Sequence, residues 1–367
     1  MTDELEVPFF PLRREMDDHR NEILSKIEET LQNGDFILGN EVSTFESEFA
    51  EYLGVEHGIG VGSGSDALYL ALRALGIGSG DEVITVSHTF VSTADAIVRN
   101  GATPVFVDID PGTYTIDPTK LEASISPNTK AILPVHLYGH PAPMDDIRAI
   151  ADEHDLTIVE DASQAHGAMY DDSFVGSLGD IACFSLYPTK NLGAYGDAGI
   201  VVTDDDELAD RVGKLREYGT SGKYRYEEVG VNSRLDELQA AILREKLGYL
   251  DDYNDRRRAI ARQYTESLSG VETPVEHNDS KHVYYLYVIQ TPNREELQRH
   301  LDERGIGTQI HYPIPVHQQQ SYSDIGTHGD LAVTERVTDR ILSLPMHPWM
   351  QDDEVQAVID SIGEYAN

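Results

Sequence analysis

From Glu82 to Thr203 the chain alternates short apolar runs with stretches of helical character, and this alternation limits the folds open to it. The runs are Val83–Val86, Pro104–Val107, Ala131–Val135, Thr157–Glu160, Ile181–Phe184 and Ile200–Val202, most of them rich in β-branched residues. Runs of this length separated by helices predict a largely parallel sheet covered on both faces. In such a sheet ligands bind beyond the carboxyl ends of the strands. Polar residues just after these runs are therefore the first candidates for chemistry.

The chain continues differently after this region. A helix is expected from Asp236 to about Leu247, and Asp251 to Leu268 reads as a long, charged connecting helix. A strand at Tyr284–Ile289, a helix at Arg294–Arg304 and helices near Thr334–Ile341 and Asp352–Tyr365 then form a second set. The expected class is α/β: residues 1–250 as a large domain with a mainly parallel central sheet flanked by helices, and 251–367 as a smaller α+β domain. A length of 367 residues suits a large domain with an appendage, and 40% hydrophobic residues allow a sizeable core.

Charge excludes some partners. Asp and Glu total 65 against 28 Lys and Arg, a formal net charge of -37. Such a chain repels nucleic acid and anionic membrane surfaces. The acids are spread out, as in Asp17-Asp18, Asp204-Asp205-Asp206 and Asp352-Asp353, so they read as a solvated surface rather than an interaction tail. Adaptation to a salt-rich cytosol is the sharper reading, since screening shortens the Debye length to about 3 Å at 1 M salt. Cys183 is the one cysteine, so no intrachain disulfide can form. The segment Met1–Phe10 lacks a basic region followed by an apolar run, and no apolar stretch approaches the ~20 residues of a spanning helix. A soluble, cytoplasmic protein is expected, with no metal-ligating set.

Three segments carry candidate chemistry. Gly62-Ser63-Gly64-Ser65-Asp66 opens a strong helix from Ala67 to Leu75. Small residues at a helix start let backbone N–H groups approach an anion, here a phosphate. Taken alone, the segment reads better as an ordinary helix capped by Ser65. Asp161 ends a run expected to be a buried strand, where a carboxylate is costly without a partner. A pyridinium nitrogen is one such partner, a structural Arg or Lys another. Lys190 follows Phe184-Ser185 in a glycine-rich bend and fits a Schiff-base former; a solvated surface lysine is the plain alternative. Together the three supply what pyridoxal phosphate (PLP) needs: a phosphate site, a carboxylate at the ring nitrogen and an amine.

The chain resembles the sugar aminotransferases of the DegT/DnrJ/EryC1/StrS group, within the fold-type I PLP enzymes. The marks are Gly-Ser-Gly-Ser-Asp-Ala-Leu (62–68), Thr-Phe-Val-Ser-Thr (89–93), Glu-Asp-Ala-Ser-Gln-Ala-His-Gly (160–167), Phe-Ser-Leu-Tyr-Pro-Thr-Lys-Asn-Leu-Gly (184–193), Asn-Ser-Arg-Leu-Asp-Glu-Leu-Gln-Ala-Ala (232–241) and His-Tyr-Pro-Ile-Pro-Val-His (311–317). The resemblance implies that Lys190 is the Schiff-base lysine and proton carrier, and that Asp161 keeps the ring nitrogen protonated. It implies Gln164 beside the ring hydroxyl, Phe90 against one ring face and Ser163 against the other. Ser63, Gly64, Ser65 and Ser185 correspond to phosphate contacts. Asn232 matches an asparagine that reaches the cofactor phosphate of a neighbouring subunit, which implies a homodimer with shared active sites.

The activity so implied moves an amino group from L-glutamate to a keto sugar carried by a nucleotide, UDP or dTDP, in amino-sugar and glycan biosynthesis. The segments at 232 and 311 look most like members that aminate 3-keto sugars, with 4-keto hexoses as the rival. Arg234, His311 and Tyr312 are the candidate substrate contacts; an internal salt bridge for Arg234 and a packed structural role for His311 are the alternatives. Two other classes share parts of this pattern. Some relatives with histidine in place of the lysine are PLP-dependent sugar dehydratases, but this chain keeps Lys190. A non-catalytic regulator that binds PLP or a nucleotide sugar would be expected to lose Lys190 or Asp161.

Overall fold

A computed structural model describes residues 6–366. Its centre is an eight-stranded sheet in the order His57–Val61, Gly199–Thr203, Ile181–Ser185, Thr157–Asp161, Thr129–Ile132, Glu82–Val86, Thr103–Val107 and Thr327–His328. From Ile181–Ser185 to Thr327–His328 every neighbouring pair is parallel. Gly199–Thr203 instead runs antiparallel to both of its neighbours. The reason is local. No helix lies between Ile181–Ser185 and Gly199–Thr203, and a parallel return needs a crossover, usually helical.

The strands are buried on both faces. The helix Gly64–Ala74 buries Ala67, Leu68, Leu70, Ala71 and Leu72, so it is apolar around most of its circumference. The helix Asn40–Leu53 presents Phe45 and Phe49 to the core, where Phe49 meets Phe184 edge-on at 5.1 Å. Each fully buried Phe contributes roughly 2–3 kcal/mol. That helix ends at Gly54, whose φ of 75° is costly for residues with a Cβ. Its start is capped from a distance. Glu237 is buried and accepts from the backbone N–H groups of Gly39, Glu41 and Val42.

A second apolar cluster joins Ile260, Ala261 and Tyr264 of the helix Leu250–Ser267 to the strands Tyr287–Gln290 and Ile341–Leu344 and to Val355, Val358 and Ile362 of the final helix. The strands Tyr287–Gln290 and Ile341–Leu344 pair antiparallel. Val7 also belongs to this cluster and bridges to Ile306. Nearby, Arg14 forms a two-pronged pair with Glu354, and buried Glu15 pairs with buried Lys246 at 2.5 Å. The segment from Val316 to Leu331 packs instead against Ala94 and Phe106, and lays Thr327–His328 along the edge of the main sheet.

Several boundaries differ from the sequence expectation. The run Ala131–Val135 forms its strand at Thr129–Ile132, and Tyr284–Ile289 at Tyr287–Gln290. The helix expected at Thr334–Ile341 spans Ala332–Thr338, and Ile341 instead begins a strand. A continuous apolar run cannot say where pairing begins; the partner strand decides it. Among the described residues no helix is long and apolar enough to cross a membrane.

Candidate active site

At the carboxyl ends of the parallel strands lies a cavity of about 530 Å³. Asp161, the last residue of its strand, lines it. The side chain before it points to the opposite face, as strand alternation requires. That neighbour, Glu160, is buried against His136 at 2.9 Å and accepts from the N–H groups of Gly176, Leu178 and Gly179. Asp161 is held more sparsely. Its Oδ2 accepts from the Thr93 hydroxyl at 2.7 Å and its Oδ1 from the Ser163 N–H at 3.2 Å. Lone pairs remain for a donor inside the cavity.

Lys190 reaches the cavity from the bend that follows Ile181–Ser185. Its N–H donates to the Tyr187 carbonyl at 2.9 Å, which closes a tight turn. The chain turns back so closely that a Cβ on Gly193 would lie 2.7 Å from the carbonyl oxygens of Tyr187 and Pro188. Lys190 Nζ sits 4.2 Å from the centre of the Tyr285 ring, and the Tyr285 hydroxyl bonds to Thr189 at 3.2 Å. Tyr285 lines the cavity but carries no mark in the sequence, standing 95 positions away from its partner.

The start of the helix Gly64–Ala74 forms another wall. Its cap is Ser63, whose hydroxyl accepts from the Asp66 N–H at 3.1 Å; the expectation of Ser65 as cap is corrected. The chain enters the helix two residues earlier, because Gly64 is already helical. Ser65 is thereby freed to bond Ser92 at 2.6 Å. Ser185 packs against Gly64, where an added Cβ would come within 2.5 Å of the Ser185 Cβ. Ser63, Gly64, Ser65 and Ser185 all line the cavity at this positive helix end, a place suited to a phosphate.

The other expected residues divide. Phe90, Ser163 and Gln164 line the cavity, and Phe90 is about half exposed. Gln164 Oε1 accepts from the Tyr138 N–H at 2.8 Å, and its amide nitrogen donates to the Tyr312 hydroxyl at 3.2 Å. His311 and Tyr312 also line the cavity. The His311 ring stacks on Phe9 and bonds Ser343 at 2.9 Å, its carbonyl accepts from the Tyr138 hydroxyl, and burial pushes its imidazole down to about 4. Burial likewise pushes the Tyr312 phenol well above its usual value. Asn232 and Arg234 do not line the cavity. Asn232 is exposed, and Arg234 faces Glu217 at 3.8 Å, the salt bridge that its plain reading allowed. Thr93 belongs to the motif 89–93 but carries no separate mark in the sequence; its place three residues past Phe90, at a helix start, is the available signal.

This donor set fits PLP. A carboxylate with free lone pairs, a lysine amine and a helix start with small residues share one cavity. The lining holds carboxylates at Asp161 and Asp197 against the single amine of Lys190.

Comparison with known proteins agrees. Residues 17–363 match the model of the DegT/DnrJ/EryC1/StrS aminotransferase family. The chain belongs to this family. A Streptomyces venezuelae relative, dTDP-3-amino-3,4,6-trideoxy-alpha-D-glucose transaminase, is 47% identical over 98% of this chain and 96% of its own length. A Geobacillus stearothermophilus relative described as a pleiotropic regulatory protein is 46% identical over 98% of this chain and 99% of its own. The crystal structure of S. venezuelae DesV in complex with a ketimine intermediate superposes with a TM-score of 0.96 at 47% identity, covering 99% of each chain. With the family stand the fold-type I architecture, the dependence on PLP and the expectation of a nucleotide-sugar aminotransferase.

Proposed function

We propose that this protein transfers an amino group from L-glutamate to a keto sugar carried on UDP or dTDP, at C3 in preference to C4. The observation that carries the reading is the convergence of Lys190, Asp161 and the helix start at Ser63–Ser65 on one cavity. The 3-amino product in the name of the 47% identical S. venezuelae relative supports the choice of carbon.

Bound here, PLP supplies an aldehyde that accepts amino groups and a ring that stores the electron pair of a broken C–H bond. Lys190 carries the proton between the amino-acid α-carbon and the cofactor carbon, as a base whose amine reaches both. Asp161 holds the proton at the ring nitrogen, since an opposite charge favours the charged form. Ser63, Gly64, Ser65 and Ser185 hold the phosphate. Phe90 and Ser163 confine the ring on its two faces, and Gln164 orients the ring hydroxyl. His311 and Tyr312 contact the sugar. Asn232 and Arg234, which do not line their own cavity, serve the site of a second copy in a homodimer. The reading keeps residues 1–250 and 251–367 as large and small domains, a cytoplasmic location, and an acidic surface suited to high salt.

Purified protein loaded with PLP and then given L-glutamate tests this directly. The visible band of the bound cofactor should give way to that of its amine form, with 2-oxoglutarate released. Lys190→Ala should show neither change. The aminated enzyme can then be offered 3-keto and 4-keto nucleotide sugars. A folded protein that binds no PLP would overturn the reading and favour a regulator, a role echoed in the name of the G. stearothermophilus relative.

A further inference from the structure

One short segment links several walls of the cavity. Between Thr89 and Thr93 the chain touches the carboxylate, the helix start and the aromatic wall of the site. Thr93 donates to Asp161, Ser92 bonds Ser65 at the helix start, and Phe90 meets the Tyr312 ring at 5.8 Å. Thr93 lies in the first turn of the helix Ser92–Arg99 and is buried, as are Thr89 and Asp161. The Thr89 and Thr93 hydroxyls are 3.0 Å apart. A hydroxyl has one proton to give. The Asp161 carboxylate can only accept, so the Thr93 proton goes to Asp161. Thr89 must then donate to Thr93, and the chain of bonds runs one way, Thr89 to Thr93 to Asp161 Oδ2.

We propose that Thr93 is a positioning residue for the reaction, acting through Asp161. Two donors, Thr93 and the Ser163 N–H, each take one carboxylate oxygen. They fix the rotation of the carboxylate and leave its remaining lone pairs in one orientation toward the cavity. A hydrogen bond from a neutral hydroxyl to a buried carboxylate also stabilises the charged form. Asp161 needs that form to hold a proton at a ring nitrogen. Without Thr93 a buried oxygen would lose its donor, and the carboxylate would be free to turn. The inference rests on the aminotransferase reading above.

The test compares Thr93→Val, which keeps the shape without the hydroxyl, with Thr93→Ser, which keeps the hydroxyl. Each is titrated with PLP and assayed with L-glutamate, and the thermal midpoint of the cofactor-free protein is recorded. Thr93→Val should bind PLP more weakly and lose roughly ten- to a hundred-fold in kcat, the range for a hydrogen bond to a charged group, with KM for glutamate little changed. Thr93→Ser should recover most of both. Val and Ser variants with the same affinity and kcat would overturn the inference. So would losses in Thr93→Val that follow only a lowered thermal midpoint. Failure of the wild-type protein to react with glutamate would instead overturn the aminotransferase reading, and the PLP titrations would still judge Thr93.

Discussion

Lys190 Nζ lies 4.2 Å from the centre of the Tyr285 ring, so its amine rests on an aromatic face. The ring face confines the side chain and so sets where the amine rests in the cavity. Replacing Tyr285 with Leu should slow the half-reaction with L-glutamate roughly tenfold, as read by stopped-flow absorbance. Tyr285→Phe should retain most of the rate, because the ring rather than the hydroxyl faces Nζ. A fast Leu variant would remove the ring from the mechanism.

Gly199 and Gly213 make a matched pair. A Cβ on Gly199 would lie 2.4 Å from the Ser63 carbonyl carbon and 2.7 Å from the Gly64 nitrogen, both backbone atoms. Gly199→Ala should cost about 3 kcal/mol, the upper end of overpacking, and weaken PLP binding by displacing the helix start. Gly213 sits within the helix Asp206–Leu215 with open space around it. Gly213→Ala should add about 0.5–1 kcal/mol. Urea titrations of both variants check the contrast.

Glu237 satisfies three backbone N–H groups at the start of the helix Asn40–Leu53. Glu237→Ala leaves them without that acceptor and should cost about 2–4 kcal/mol. Glu237→Gln keeps one acceptor oxygen and should cost less. Equal stability of the Ala variant and the wild type would refute the capping role.

Acid should unfold the protein early. Burial pushes His88, His140 and His311 down to about 4, and His166 and His347 to about 3. In the unfolded chain these rings take up protons near pH 6.5. Between about pH 6.5 and 4 the unfolded state therefore binds more protons, and stability falls with pH, by up to about 1.4 kcal/mol per unit for each ring. Thermal midpoints at pH 7.5 and 5.5 should differ by many degrees; a flat profile would contradict the neutral burial of these rings.

What could be read from the sequence follows from where information is local. Asp161 and Lys190 were legible because each stands just past a short apolar run, and strand ends of a parallel sheet are where chemistry collects. The helix at Gly64–Ala74 was legible from its small-residue opening, though not its cap, since the shift of two residues depends on backbone geometry at Gly64. Tyr285 was not legible. It lies in the run expected as a strand at Tyr284–Ile289, just ahead of the strand that forms at Tyr287–Gln290, and only tertiary packing brings it to Lys190. Ile341 was assigned to a helix because an apolar residue after a helical pattern looks the same whether it continues the helix or begins a strand. Arg234 showed both of its readings in the sequence, and the contact with Glu217 gives the salt bridge a physical form.

The pairing of Arg14 with Glu354 spans 340 positions. On a ribosome, the first of these residues emerges long before its partner exists. Glu15 can meet Lys246 once that residue has emerged, but Arg14 must wait unclasped until the last helix has been made. This clasp is a late event of folding by necessity, and a nascent chain will expose that stretch for most of its synthesis.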